Sequence, residues 1–303
     1  MTGIPRGTRP IKEYELAEAL LRAGAAGTLV EPPVGREELT MDDAYAVGAL
    51  IAGVRLKQGW RCRGWKVGFT NRRIWPRWGL DRPMVAPVYR ETVFEAGADG
   101  DGRQAAAPVR VPAGRRAALR IEVEVVFGFE AAGPADVAAA PDWVALGTEL
   151  VDCHYPGWEL HPARSVADFG LHAGLVVGPR VAPVSRRMLR GLDGVSATLS
   201  AAGERLAEGN GHAVLGGPAN VLAELRGSLA KRMAGYGLTG PGAPRDTVSA
   251  GRPETAPSPG EATDSGQGYL VSTGTLTPLV EARIGTTYEV AADLLPSFSF
   301  VLV

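Results

Sequence analysis

The stretch from Arg120 to Phe127 combines the alternation of a β-strand with glutamates at two alternate positions. In this run, RIEVEVVF, one apolar residue separates Glu122 from Glu124. Side chains two residues apart on a strand lie on the same face, so both carboxylates leave a largely apolar strand in one direction. Neighbouring buried carboxylates lose hydration and repel each other, and they need a positive partner. A divalent cation suits this role because hard cations prefer oxygen ligands.

A third carboxylate lies in another apolar run that is typical of a strand. Glu149 is part of ALGTELVD, 27 positions after the first glutamate. Three carboxylates on rigid β-structure would form an open site for Mg²⁺ or Mn²⁺, with positions left for a substrate. Taken alone, however, Glu122 and Glu124 are more typical of a solvated strand face or of edge protection. The metal-site hypothesis therefore depends on other segments of the chain.

Three further segments carry groups that such a site would use. Lys66 lies between two glycines in GWKVG, where a desolvated lysine can clamp an anion or donate a proton. A surface lysine with a buried stem is the commoner role for a single lysine. Asp168 follows Glu149 in SVADFG. The run YLVSTGTL predicts a strand that ends in a small turn, where Gly274 and Thr275 offer donors to a carboxylate.

In their order along the chain, these segments resemble the fumarylacetoacetate hydrolase superfamily, in the branch of 2-keto-4-pentenoate hydratases and 4-oxalocrotonate decarboxylases. The resemblance covers nearly the whole chain from about Glu38 onward. The matching pieces are LTMDDAYAV, GWKVGFT, GLDRPM, EVEVVF, ELVDC, VAD, GGP and STGTL. Single pieces are weak signals, but the ordered set is specific.

The resemblance implies a role for each matching residue. The implied metal ligands are Glu122, Glu124 and Glu149; the implied catalytic groups are Lys66, Asp81 and Asp168; and the implied substrate contacts are Gly274 and Thr275. His172 is a further candidate for substrate binding, because it lies just beyond Asp168. A surface histidine or a hydrogen-bonded core histidine is the more common alternative.

The sequence departs from the branch in three places. Asp168 is followed by Phe169, Gly170, Leu171 and His172, where the branch usually has Asn and then small or hydroxyl residues. Cys153, His154 and Tyr155 follow Asp152, where the branch usually has an Arg. A Gly- and Pro-rich insert from Gly237 to Gly268 replaces a short connection and is predicted to be a surface loop or a lid. These changes keep the metal ligands and leave the substrate open.

The resemblance implies a divalent-metal-dependent lyase that acts on a small 2-oxo acid. Hydration of a 2-hydroxy-dienoate and decarboxylation of a 2-oxo-enedioate share a dienolate that the metal stabilises, so one ligand set serves both reactions. A second interpretation is an acylpyruvate-type C–C hydrolase, which needs a base-activated water, usually with a His–carboxylate pair; no such pair is obvious in the sequence. A third is a catalytically altered or scaffold homologue, including one that serves a biosynthetic pathway.

Composition indicates which partners and which cellular location to expect. The chain has 303 residues, 45% of them hydrophobic, with 32 basic and 33 acidic residues. That balance favours no nucleic-acid or membrane partner, and Cys62 and Cys153 have no zinc-site spacing. Without an apolar signal segment or a run of about 20 apolar residues, we expect a cytoplasmic protein. The partners we expect are a small 2-oxo acid and further copies of the chain, as a dimer or a larger homo-oligomer.

The pattern predicts an α+β fold in two regions, a helical and mixed region over 1–95 and a β-rich catalytic region over 96–303. Helices are predicted from Tyr14 to Ala26, from an N-cap at Thr40 to about Gln58, and from Ala219 to Ala234. Strands are predicted over 141–151 and 171–177 and at the C-terminus. The resemblance implies that the N-terminal helices pack on a large, mixed, mostly antiparallel β-roll.

Overall fold

The computed structural model describes residues 11–30, 39–97, 107–130, 140–158, 161–238 and 268–303. Within these ranges the helices are α1 Ile11–Ala26, α2 Met41–Lys57, α3 Trp75–Trp78, α4 Pro162–Ala167, α5 Arg186–Gly191, α6 Asn220–Arg226 and α7 Ala230–Gly235. The strands are β1 Cys62–Gly68, β2 Met84–Tyr89, β3 Val93–Glu95, β4 Val109–Val111, β5 Leu119–Phe129, β6 Trp143–Asp152, β7 His172–Val177, β8 Ser196–Ala201, β9 Glu204–Asn210, β10 Tyr269–Thr275, β11 Val280–Glu281, β12 Thr287–Ala292 and β13 Phe298–Leu302.

Two sheets make up the β-structure of these residues. The larger sheet has the strand order β2-β1-β10-β5-β6-β7-β3, with β11 paired to β5, and the smaller has the order β4-β13-β12-β8-β9. Most neighbours are antiparallel, while β1 with β10, β3 with β7 and β13 with β4 are parallel. The predicted α+β class with mixed, mostly antiparallel β-structure is confirmed. The strands before residue 96 share the larger sheet with strands from the rest of the chain.

The N-terminal helices form where the sequence predicts them. Helix α2 begins after Thr40, whose hydroxyl accepts from the Asp43 amide while the Asp43 carboxylate accepts from the Thr40 amide. Such a reciprocal cap satisfies two amides that would otherwise lack partners at a helix start. Apolar side chains of α1 and α2, among them Leu20 and Ile51, share one buried core with strand residues such as Trp65. The helices therefore pack on the sheet, as predicted.

One predicted helix is wrong as a single element. The helix expected from Ala219 to Ala234 is divided into α6 and α7. The break lies at Gly227, whose backbone is non-helical at φ −105° and ψ −99°. Glycine lowers helix stability and is tolerant of such a conformation. Most of the Gly237–Gly268 insert falls outside the described residues, as does the loop at 98–106.

The centre of the larger sheet is almost completely buried. All ten residues of β6 are buried, and so are the last seven residues of β5. Polar groups on these strands therefore need partners inside the protein, since water does not reach them. In the part of the chain that is described, no helix is long and apolar enough to cross a membrane.

Candidate active site

Sheet register brings the three predicted carboxylates together at the centre of the larger sheet. Glu122 on β5 lies directly opposite Glu149 on β6 in the antiparallel ladder, and Glu124 follows on the same face of β5. One carboxylate oxygen from each glutamate lies within 4.8 Å of the other two. Glu124 and Glu149 are fully buried and Glu122 is partly exposed. These residues, called the glutamate triad below, thus converge on one point that is reached from one side.

Glu124 is anchored through only one of its two oxygens. Its Oε2 accepts hydrogen bonds from the Ser272 hydroxyl and from the Gly274 amide, the latter at 3.0 Å. The backbone at Gly274 has φ +98°, and a side chain there would meet Thr70, which explains the glycine. The other oxygen, Oε1, is buried and has no hydrogen-bond partner among the described residues. An unpaired buried carboxylate oxygen is costly unless a cation meets it.

Glu149 is held by two cation-forming side chains. Its Oε2 lies 2.9 Å from Lys66 Nζ, which also donates to the Gly170 carbonyl at 3.0 Å. Its Oε1 lies 2.8 Å from His172 Nδ1. The other ring nitrogen of His172 lies 2.8 Å from the hydroxyl of Thr92. Because burial lowers the pKa of His172 and a carboxylate only accepts, the neutral ring donates from Nδ1 to Glu149 and accepts from the Thr92 hydroxyl at Nε2, so the imidazole is held from both sides.

The triad has strongly perturbed proton affinities. Burial raises the pKa of Glu122 to about 7, against the opposing pull of Lys66, and burial with the neighbouring carboxylates raises the pKa of Glu124 well above its usual range. Burial also disfavours the charged form of Glu149, but Lys66 and His172 outweigh it and lower its pKa. Lys66 shows the converse: the three glutamates outweigh burial and raise its pKa. Among the described residues, the ammonium that compensates this clustered negative charge is that of Lys66.

The triad fits a hard divalent cation. Three carboxylates supply oxygen ligands of the kind that Mg²⁺ and Mn²⁺ take. Because Mg²⁺ is octahedral, three protein ligands leave coordination positions for substrate oxygens. The partnerless Oε1 of Glu124 supplies the structural reason, since a cation would satisfy it. The prediction that these three residues converge agrees with the geometry.

Comparison with known proteins shows sequence similarity to hydratases. No family model matches the sequence. The chain is 28% identical over 289 residues to a 2-keto-4-pentenoate hydratase of Burkholderia vietnamiensis, which covers 93% of this chain and 94% of the relative. It is 29% identical over 205 residues to the 2-oxo-hept-4-ene-1,7-dioate hydratase of Escherichia coli, or 64% and 72% of the two chains.

A solved structure shares the fold. The 4-oxalocrotonate decarboxylase from Pseudomonas putida G7, complexed with magnesium and adipate, superposes with a TM-score of 0.74 at 22% identity, over 99% of this chain and 100% of the other. The predicted resemblance to the branch of 2-keto-4-pentenoate hydratases and 4-oxalocrotonate decarboxylases and the predicted fold class are confirmed.

Several other residues that the superfamily resemblance singled out lie away from the triad or make different contacts. Asp81 is exposed and pairs with the adjacent Arg82 at 2.6 Å. The Thr275 hydroxyl donates to the Thr277 carbonyl at 2.7 Å, although its Cα is opposite Glu124 in the ladder. Gly274 contacts a metal-ligand candidate through its amide. The structure therefore groups the predicted residues less tightly than the ordered motifs suggest.

Asp168 forms a second buried pair, which the sequence did not reveal. Its Oδ1 lies 2.7 Å from Nδ1 of His154, and its Oδ2 accepts from the His154 amide at 2.8 Å. No His–carboxylate pair was obvious in the sequence, and the structure forms two, His154 with Asp168 and His172 with Glu149. Fourteen and 23 residues separate the partners, so no local pattern could have joined them. Ser272 and Thr92 were missed for the same reason.

Proposed function

We propose that this protein is a divalent-metal-dependent lyase that hydrates or decarboxylates a small 2-oxo acid. The observation that carries the proposal is the convergence of three buried or partly buried carboxylates beside Lys66, with one oxygen of Glu124 left without a partner. Named relatives that are hydratases of 2-oxo acids and their dienol forms support the same reaction class. We propose Mg²⁺ as the cation, with Mn²⁺ as the alternative.

The triad would hold the cation through Glu122, Glu124 and Glu149. When bound, a divalent cation supplies open coordination positions and Lewis acidity for the carboxylate and keto oxygens of a 2-oxo acid. The remaining work falls to protein groups that orient the substrate and move protons. Oriented, water-poor surroundings strengthen each of these contacts.

Lys66 is the group best placed for proton movement. Its ammonium is buried, lies 2.9 Å from Glu149 Oε2 and is fixed by the Gly170 carbonyl. The raised pKa keeps it charged, which suits a stabiliser of developing negative charge on the substrate. We propose this role for Lys66 in either lyase reaction, together with proton transfer to the substrate, for which its position and not its pKa is the argument.

His172 acts on the metal site through Glu149. Both of its ring nitrogens are taken by protein groups, Glu149 on one side and Thr92 on the other, and its side chain has no exposed surface. Such a residue cannot reach a substrate without breaking those bonds. We assign it as a positioning residue that fixes one oxygen of Glu149 and leaves the other directed at the triad.

The remaining assignments follow from position. Gly274 orients Glu124, and Thr275, beside it on β10, is proposed to contact the substrate carboxylate after releasing its bond to Thr277. Asp168 supports the segment that carries Gly170 rather than acting on the substrate. Asp81, on an exposed loop, would act only after that loop moves.

The hydrolase alternative draws no support from the second pair. Hydrolysis of an acylpyruvate needs a base that faces a water near the metal. His154 instead directs Nδ1 to Asp168 and brings Nε2 to 3.6 Å from Asp152, while its ring packs edge-on against Phe169. The charges that act on it come from Asp168, Asp152 and Arg116. The lyase hypothesis therefore accounts for the geometry of this pair better than the hydrolase hypothesis does.

Two further expectations from the sequence concern location and assembly. We propose that the protein works in the cytoplasm and that it assembles as a homo-oligomer. Both can be tested on the native protein, the first by fractionation and the second by light scattering.

Turnover tests the proposed function. The purified protein, stripped of metal and reloaded with Mg²⁺ or Mn²⁺, is offered 2-hydroxy-dienoates and 2-oxo-enedioates. Loss of dienol absorbance reports hydration, and released carbon dioxide reports decarboxylation. We expect one of these reactions with metal and none without it. Turnover that is independent of metal, or release of pyruvate from an acylpyruvate as the only reaction, would refute the proposal.

A further inference from the structure

A cleft of about 780 Å³ opens at one end of the larger sheet. It is bounded by the C-terminal end of α1, by the segment that leads into β5, by the turn after β6 and by β11 with the residues that follow it. Its volume is in the range of small-molecule sites. The cleft is distinct from the buried triad, yet it lies at the end of the strands where Glu122 is partly exposed.

Positive charge dominates the lining of this cleft. Arg115, Arg116 and Arg120 all contribute to it, against the single carboxylate of Glu281. Among the described residues, none of the three guanidinium groups has a carboxylate partner within 4 Å. Clustered guanidinium groups that lack carboxylate partners recognise carboxylate or phosphate through paired N–H donors. We call this feature the arginine cleft.

The arginine cleft also has apolar walls. Leu29 is 50% exposed and Ile284 is 68% exposed, and both line it. Trp158 lies against Arg120, with the guanidinium carbon 4.2 Å from the ring centroid, and its indole N–H is fixed by the Ala118 carbonyl. Stacking of this kind orders a guanidinium without neutralising it. An ordered cation beside exposed apolar side chains suits an aliphatic chain that ends in a carboxylate.

Two contacts join the arginine cleft to the triad. Arg120 precedes Glu122 by two residues on β5, so their side chains leave the same face about 7 Å apart along the strand. Arg116 Nη2 lies 3.5 Å from the carbonyl oxygen of Ala173, the residue after His172. The cleft therefore begins within the length of a short dicarboxylic acid from the triad.

Among the described residues, the cations near the buried site are already engaged. Lys66 is bonded to Glu149 and to the Gly170 carbonyl. The guanidinium of Arg55 lies over three aromatic rings, those of Trp60, Tyr89 and Phe169. A substrate with one carboxylate at the triad and another at its far end would need a separate positive group. The arginine cleft supplies three.

We propose that the arginine cleft binds the distal carboxylate of the substrate, so that this protein prefers dicarboxylic 2-oxo acids over monocarboxylic ones. The inference rests on the proposed function for the position of the reacting end. Arg116 and Arg120 face the anion, and Leu29 and Ile284 flank the chain that carries it.

Binding measured without turnover tests this inference. Calorimetric titration of the Mg²⁺-loaded protein compares adipate with hexanoate, which have the same carbon count and differ by one carboxylate. We expect adipate to bind at least about tenfold more tightly, as a charge-assisted contact to an arginine implies. Arg116→Gln and Arg120→Gln should each remove most of that preference. Equal binding of the two acids by the parent protein overturns the inference.

Matched variants separate a local role from damage to the fold. Arg205→Gln, at an exposed arginine on β9 that pairs with Glu208, should keep the full preference for adipate. Arg116 lies on an exposed segment, so its variant should fold even if Arg120→Gln does not. Retention of the preference in folded Arg116→Gln also overturns the inference.

The outcome can be told apart from failure of the proposed function. A protein that prefers adipate but turns over no 2-oxo acid contradicts the proposed function and supports the arginine cleft. A protein that turns over a monocarboxylic 2-oxo acid, with no preference for adipate, contradicts the arginine cleft and supports the proposed function.

Discussion

Two buried histidine–carboxylate pairs lie in this protein, and they do different work. His172 with Glu149 and His154 with Asp168 have nearly equal contacts, at 2.8 Å and 2.7 Å. In the second pair both oxygens of Asp168 are consumed by His154, one by its ring and one by its amide. In the first pair only one oxygen of Glu149 is taken by the histidine, and the other faces Lys66.

The contrast shows that the environment of a carboxylate decides whether it can bind a metal. Burial raises the pKa of Asp168, although His154 opposes this. Burial also disfavours charge on Glu149, but Lys66 and His172 reverse the effect and lower its pKa. Glu149 stays charged beside Glu122 and Glu124, which suits it to cation binding even though His172 and Lys66 contact its two oxygens. Asp168 has no such carboxylate cluster, and both of its side-chain oxygens bond to His154, so it supports structure instead.

The largest difference in Mg²⁺ affinity between the two pairs should appear when the carboxylate of each is replaced by its amide. Glu149→Gln should weaken Mg²⁺ binding by more than the roughly 10–100-fold typical of an outer partner and should abolish turnover. Asp168→Asn should leave the metal affinity close to that of the parent. Calorimetry with Mg²⁺ on both proteins checks this. Equal metal affinity in the two variants would show that the pairs are interchangeable.

Lys66 is the group that sets the two pairs apart, and its loss should come next in size. Lys66→Met should lower turnover by about 10²–10⁴, the range for a positioned proton transfer, while Mg²⁺ still binds. Steady-state kinetics at saturating metal measures this effect. Lys57→Met, at the exposed end of α2, is the matched control. Unchanged kinetics in Lys66→Met would remove this lysine from the mechanism.

Replacing the histidine of each pair should give a smaller difference in Mg²⁺ affinity. His172→Leu should weaken Mg²⁺ binding about 10–100-fold, because Glu149 loses the partner that orients it. His172→Asn should restore much of the affinity, since its amide nitrogen takes the place of Nδ1. His154→Leu is the matched substitution in the other pair and should leave metal affinity unchanged. Equal losses in the two leucine variants would contradict a special role for His172.

The smallest expected effect is on the pH dependence of stability, through the pair of His154 with Asp168. Burial lowers the pKa of His154, but the hydrogen bond and charge of Asp168 outweigh it and raise the pKa above its usual value. A raised pKa adds stability that is complete below the unfolded value and is lost as pH rises through the folded value. We expect the free energy of unfolding, from denaturant titrations between pH 5 and pH 9, to decline less steeply for His154→Asn. An unchanged pH slope would rule out this contribution.

Local sequence patterns were enough to predict many of the helices and strands. The reciprocal cap at Thr40, the alternation in β5 and the apolar run of β6 each act over a few residues, so helix and strand could be predicted from them. Position along a strand also placed Glu122 and Glu124 on one face. At Gly227 the predicted helix ran too far, because a glycine lowers helix stability without always ending a helix, and its sequence position alone does not show that the backbone leaves the helical conformation there.

The sequence by itself determined which groups could meet a cation: carboxylates on strands, a lysine between glycines and the order of motifs shared with the superfamily. Only the tertiary structure decided which of them meet. It set Glu122 opposite Glu149, gave one oxygen of Glu149 to His172 and closed Asp168 against His154. It also gathered Arg116 and Arg120 into one cleft. These contacts join residues distant in sequence, and their geometry depends on strand register and burial, which no short stretch of sequence encodes.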